Sequence, residues 1–254
     1  MTSSQQDSVQ ATDFTEVFDI ARWHAWAPGV QNPDDWHAWL QGTLVAPPDA
    51  QPDVSFLPGL LRRRLDRQGR MALHTAWPCA KGLEAVPLVY ASRHGALQRT
   101  LEMLVALTKD EPLSPTLFSL AVHNSTAGLF SIARGDRSAT TAMAAGKDSL
   151  TMGLLEAAGM LADGAAHVLV MYADDVAPPP YTGQVGDPPA LPFAISLLLT
   201  AQTDRNNGCR LGLASGSAPG QTPETALIEF LVENRQQVVM GSGQAWRLER
   251  VDAG

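Results

Sequence analysis

Cysteine is scarce in this chain. Two occur in 254 residues, Cys79 and Cys209, far apart and without CxxC spacing. That argues against a disulfide framework or a zinc site and fits a reducing compartment. The opening "MTSSQQDSVQATDF" lacks a basic segment followed by an apolar one, so it does not read as a secretory signal. The longest strongly apolar run, "ALPFAISLLLTA", falls short of the roughly 20 residues that a membrane span needs. Basic residues are outnumbered, 18 against 26 acidic ones, for a net charge of -8. This counts against a broad nucleic-acid surface. No GxSxG elbow, Walker A or GxGxxG sequence occurs, and "RLGLASGSAPG" reads as a glycine-bearing loop. Heptads, low-complexity tracts and internal repeats are missing too. The expectation is a cytoplasmic protein with no cofactor and no metal.

What is present is ordinary globular material, 45% hydrophobic and 17% charged, and long enough for a sizeable core. Residues 1–17 read as a loose polar tail ahead of one domain, 18–254. "FDIARWHAWAPG" predicts a strand ending in a Pro-Gly turn. "NPDDWHAWLQG" predicts a short helix capped by Asn32, with Pro33 in its first turn and Gly42 at its end. "LLRRRLDRQGRMALHTAWPCAKGL" predicts one or two helices. "AVPLVYASRHG" predicts a buried strand and "ALQRTLEMLVAL" a helix. "SPTLFSLAVHNSTAGLFSIARGD" predicts helix with a break at Asn124–Gly128. "AHVLVMYADD" runs apolar without alternation, as a strand covered on both faces does. A Pro/Gly-rich break spans Ala177–Pro189. Beyond it, "LPFAISLLLTA" and "RLGLASG" predict strands. "TPETALIEFLVEN" predicts a helix capped by Thr222, and "QAWRLERV" a strand or tail. Strands alternating with helices give an α/β layered fold.

One stretch stands apart. "SATTAMAAGKDSL" runs from Ser138 as an apolar strand to Ala145, turns at Gly146 and enters a helix capped by Asp148 or Ser149 and closed by Gly164. Lys147 sits at the corner. A residue there faces helix N-terminal amides, whose partial positive charge favours anions and stabilises a thiolate.

Around this corner the sequence resembles a family. "PTLFSLAVHNSTAGLFSIARGDRSATTAMAAGKDSLTMGLLEAAGMLADGAAHVLVM" is similar to the N-terminal half of a β-ketoacyl synthase of the thiolase superfamily, in particular the shortened branch of aryl polyene and related fatty-acid-like pathways. "WHAWLQG", "LRRRLDRQGRMAL" and "LVYASRHGALQRTLEML" extend the match over about 18–201. The resemblance implies a thiolase-like layered α/β/α fold with a shortened C-terminal part. It also implies a cysteine nucleophile at the corner, and the ungapped register places Lys147 there. A gapped register places Met143 there instead. Ketosynthases take two histidines and a lysine from their second half, whereas the chain after Pro189 holds neither. Condensation needs both a thiolate and a means of stabilising a carbanion.

The resemblance therefore implies a non-catalytic subunit like a chain length factor. Its partner would be an active β-ketoacyl synthase, in a heterodimer that meets an acyl carrier protein. Pairing would run through the strand before the corner, including Thr140, Thr141, Ala142 and Met143. His94 in "SRHG" and Leu117 with Phe118 in "PTLF" would reach the partner's acyl tunnel. Two other classes stay open: an acyltransferase or thioesterase using Ser125 or Cys79, and a homodimeric acyl-binding scaffold.

Other features have plainer readings. Arg62, Arg63, Arg64, Arg67 and Arg70 form a basic cluster that could dock an acidic carrier protein, although a solvated helix face is the simpler account. His123 beside Ser125 is adjacency in sequence, not triad geometry. Cys79 and Cys209 read as packed thiols. His24 and His37 read as part of aromatic packing.

Overall fold

The fold was obtained as a computed structural model, which describes residues 15–47, 49–183, 191–201, 208–214 and 220–251. Most of the expected tail, residues 184–189 of the expected break and the end of "RLGLASG" lie outside the described residues. Thr15, expected in the tail, instead begins the first strand.

Eight strands form one sheet: β1 (Thr15–Trp26), β2 (Leu88–Ala91), β3 (Thr140–Met143), β4 (His167–Asp174), β5 (Phe193–Ala201), β6 (Gly208–Leu213), β7 (Gln237–Met240) and β8 (Trp246–Arg250). Their order is β3-β2-β4-β5-β1-β6-β8-β7. β2 pairs parallel with β3 and β4, and every other pairing is antiparallel. β1 follows β5 from Phe18↔Ala201 to Trp26↔Ala194 but pairs with β6 only over Thr15–Asp19.

The helices are α1 (Asp35–Leu40), α2 (Gly59–Arg62), α3 (Arg67–Cys79), α4 (Leu97–Thr108), α5 (Pro115–Ala121), α6 (Ser125–Arg134), α7 (Ser149–Ala162) and α8 (Pro223–Val232). Two hydrophobic clusters flank the sheet, giving an α/β/α layering. α7, α8 and Trp36 of α1 cover one face, while α3 and α6 cover the other. β4 is buried from Val168 to Asp174, which explains its unbroken apolar run. Gly153 lets α7 settle on β2, since a Cβ there would stand 3.0 Å from the Ala91 Cβ.

Local chemistry sets the boundaries. Asp66 accepts a bond from the Gly69 amide and so splits the arginine-rich run into α2 and α3. Thr222 and Ser114 cap α8 and α5, each with Pro at the first position. Asn32 does not cap α1; its side chain accepts from the Asp34 amide in a turn one step earlier. The break between α5 and α6 falls at Val122–Asn124, slightly before the expected place. β3 is shorter than the expected Ser138–Ala145 strand.

Candidate functional site

The site is built where β3 ends and α7 begins. Gly146 takes a left-handed conformation, φ +58°, which turns the chain with no penalty for a side chain. Residues Gly146–Asp148 form one 3-10 turn that runs into α7. The buried Ser149 hydroxyl accepts from the Ala145 amide and donates to the Gly146 carbonyl, pinning the turn from both sides. The Lys147 side chain is exposed. Asp148 stands at the start of α7, where a carboxylate complements the helix dipole. Its oxygens accept from the Ser242 amide, the Ser242 hydroxyl and the Gly243 amide. The β7–β8 turn is thus fastened to the corner. The corner presents an exposed lysine, with the acid beside it committed to structure. Met143 ends β3, half-buried, and its carbonyl accepts from the Ser92 amide.

Both thiols are buried. Cys79 is fully buried, points at the Ser196 carbonyl at 3.4 Å, and burial pushes its pKa up to about 12. Burial pushes Cys209 up to about 11. Both stay protonated and inert near neutrality. The Ser125–His123 pair also fails on geometry. Ser125 donates to the Leu120 carbonyl, closing α5, while His123 is 3.0 Å from the Ser92 carbonyl and donates there. His167 and His74 likewise face the carbonyls of Ala85 and Asp53.

The expected interface residues fall in three places. Thr140, Thr141, Ala142 and Met143 form the edge strand of the sheet, with one side unpaired among the described residues. Phe118 is 61% exposed and Leu117 half-buried, both on α5. His94 lies elsewhere, in a cleft of about 350 Å³ walled by Asp66–Gln68, Gly95–Gln98 and Asp174–Pro179. Leu117 is not among that cleft's walls.

The basic cluster is not one continuous solvated face. Arg67 grips Asp175 through Nε at 2.8 Å and Nη2 at 2.5 Å. Arg70 donates to the Arg62 carbonyl, and the Arg64 carbonyl accepts from Arg99. Arg63 is exposed, while Arg62 and Arg64 are half-exposed. His37 is exposed on α1 rather than packed, whereas His24 lines an aromatic cleft with His74.

Sequence reasoning missed a buried polar network at the ends of β2 and β4. Asp174 accepts from the Ser92 hydroxyl at 2.8 Å, the Arg93 amide at 2.9 Å and the Tyr172 hydroxyl at 2.7 Å. Gln68 donates to Ser92, Tyr90 and the Ala173 carbonyl. Tyr172 also bonds Glu224 of α8, and Arg93 lies 3.4 Å from the same carboxylate. Burial pushes Asp174 up to about 6. The partners come from four distant segments, and the only sequence signal was a run of polar residues closing two apolar strands.

Comparison with known proteins agrees with this architecture. A family model described as "Beta-ketoacyl synthase, N-terminal domain" matches residues 36–247. No curated protein sequence matches the chain. Among solved structures, one of a ketosynthase (ApeO) in complex with its chain length factor (ApeC) from Xenorhabdus doucetiae contains a chain 27% identical to this one. Its TM-score is 0.77, over 92% of this chain and 99% of that one. A β-ketoacyl synthase from Burkholderia phymatum, 13% identical, aligns with TM-score 0.60 over 88% of this chain and 71% of its own. A type II polyketide ketosynthase with its acyl-carrier protein (AntDE:AntF), 11% identical, aligns with TM-score 0.63 over 94% and 100%. These last two show the fold alone. The layered sheet, the strand-to-helix corner and the matched span place the chain in the β-ketoacyl synthase N-terminal domain family.

Proposed function

We propose that this chain is a non-catalytic subunit, like a chain length factor, that pairs with an active β-ketoacyl synthase and helps shape its acyl tunnel. The observation that carries the reading is Lys147 at the corner, together with two cysteines buried where neither can ionise. A lysine nitrogen has no sulfur on which to hold an acyl group as a thioester, so on this reading the chain lacks the nucleophile of a Claisen condensation. Thr140–Met143 would add the pairing strand. Leu117, Phe118 and His94 would contribute side chains toward the partner, and Arg62–Arg64 would offer charge to an acidic carrier protein. Arg67 contributes least to that docking because Asp175 already neutralises it.

The test is co-expression with a β-ketoacyl synthase, followed by assay with malonyl-loaded and acyl-loaded carrier protein. The expected result is a stable heterodimer, activity only in the complex, and altered product length on Leu117→Trp or His94→Trp. Lys147→Cys in the isolated chain should create a thiol that alkylates readily, yet give no condensation. Condensation by the wild-type chain alone would overturn the proposal.

A further inference from the structure

A second cleft, of about 490 Å³, lies between β1, α1, α3 and the end of α8. It shares no wall residue with the His94 cleft or the corner. Its size is within the range of small-molecule sites. Trp23, Trp26 and Trp36 supply aromatic surface, and Val30, Pro33, Leu231 and Val232 complete the apolar walls. It opens where β1 runs on past Asp19, the last residue at which β6 accompanies it.

Gln31 and Asn32 lie at its wall, and two imidazoles add polar groups between the aromatic ones. The rings of His24 and His74 meet edge to face, with centroids 5.2 Å apart. His74 Nδ1 is 2.7 Å from the Asp53 carbonyl. A carbonyl only accepts, so Nδ1 carries the proton, and in the neutral ring Nε2 is an acceptor. His24 Nδ1 is buried with no hydrogen-bond partner. Burial, and then the neighbouring His74, lowers the His24 pKa, so that ring is uncharged near neutrality. The walls carry no Lys, Arg, Asp or Glu. Among the described residues no set of three His, Cys, Asp or Glu is placed to hold a metal, so the pair lacks the third ligand of an ordinary zinc site.

We propose that this cleft binds an uncharged, planar aromatic molecule bearing one hydroxyl, its ring against the tryptophans and its hydroxyl on the His24–His74 pair. A hydroxyl both donates and accepts, so it can give its proton to His74 Nε2 while accepting from His24 in the tautomer whose facing nitrogen carries the proton. A carboxylate would enter a site with no cation to receive it. A purely apolar ring would leave the His24 nitrogen as it stands, orphaned.

The test uses 2-naphthol, naphthalene and 2-naphthoate, titrated against the whole chain by tryptophan fluorescence, with imidazole nitrogen shifts read by NMR. Saturable 2-naphthol binding is expected, about tenfold tighter than either analogue, as one neutral hydrogen bond predicts. His24 and His74 nitrogens should shift on binding. His24→Phe should reduce 2-naphthol to the level of naphthalene, and Val232→Trp should fill the cleft and abolish both. If His24→Phe does not fold, His74→Gln and Val232→Trp decide the matter. No saturable binding of 2-naphthol at millimolar concentration, equal binding of naphthalene, or indifference to these variants would overturn the proposal.

Discussion

The sheet ends in two very different edges. At one end, β7, as short as β3 at the other, is bordered by charge on its neighbours. Glu249 of the neighbouring β8 pairs with both Arg210 and Arg247, and Arg235 pairs with Glu233. α8 packs against β7, and the following turn is fastened to Asp148. These are the devices by which proteins blunt an edge. At the other end, β3 carries no charged residue. The helices that connect β2 to β3 leave apolar side chains outside: Leu107 is 54% exposed, Phe118 61% and Ile132 63%. An open strand and exposed apolar side chains are the features that the proposed pairing would cover. The contrast teaches that this chain is finished on one side and unfinished on the other.

The comparison breaks most sharply at the open edge. The Ala139 and Met143 carbonyls face β2, so the strand period of two turns the backbone of Thr140 and Ala142 outward. Ala142→Pro removes an outward donor without touching the β2 ladder. It should abolish co-purification with the ketosynthase, a loss of at least about 100-fold in affinity, with the melting temperature little changed. Leu107→Asp combined with Phe118→Asp should weaken the complex by about 10- to 100-fold, measured by titration.

On the closed side, Glu224 ties α8 to the centre of the sheet through Tyr172, with Asp174 and Arg93 beside it. Folded Asp174 holds its proton up to about pH 6, against an ordinary value of 3.8. Between these values the folded chain binds more protons than the unfolded one. Stability should therefore fall as pH rises from about 4 to about 6, by on the order of 3 kcal/mol, and level off above. Denaturant titrations across that window should show the decline, and Asp174→Asn should flatten it. Asp148→Ala should cost about 1–2 kcal/mol and speed amide exchange at Ser242 and Gly243. Gln237→Lys, exposed on the closed edge, should change stability by less than about 0.5 kcal/mol and leave pairing intact.

Much of this architecture was legible in the sequence because local signals were strong. The Thr222–Pro223 start of α8, the apolar run of β4 and the Gly146 turn were each written in a few adjacent residues. β7 was missed, since "QVVM" is too short to show a period. The corner of the candidate site was readable as a strand, a glycine and a helix. Its closure was not, because Asp148 and Ser242 are 94 residues apart. The same distance problem hid the Arg67–Asp175 pair, which turned a supposed solvated arginine into a wall of the His94 cleft. Exposure of Phe118 and Ile132 was equally invisible, because an apolar residue on a helix reads as core until the fold shows which face is left over.

The Asp148 clamp sets how the corner responds to substitution. The hairpin that follows β7 is held to this corner by Asp148 while the neighbouring Lys147 stays exposed, so a sulfur placed at 147 would be reachable from solvent. The same clamp means that an exchange at 148 loosens two distant parts of the chain at once, whereas an exchange at 147 leaves the Asp148 bonds in place.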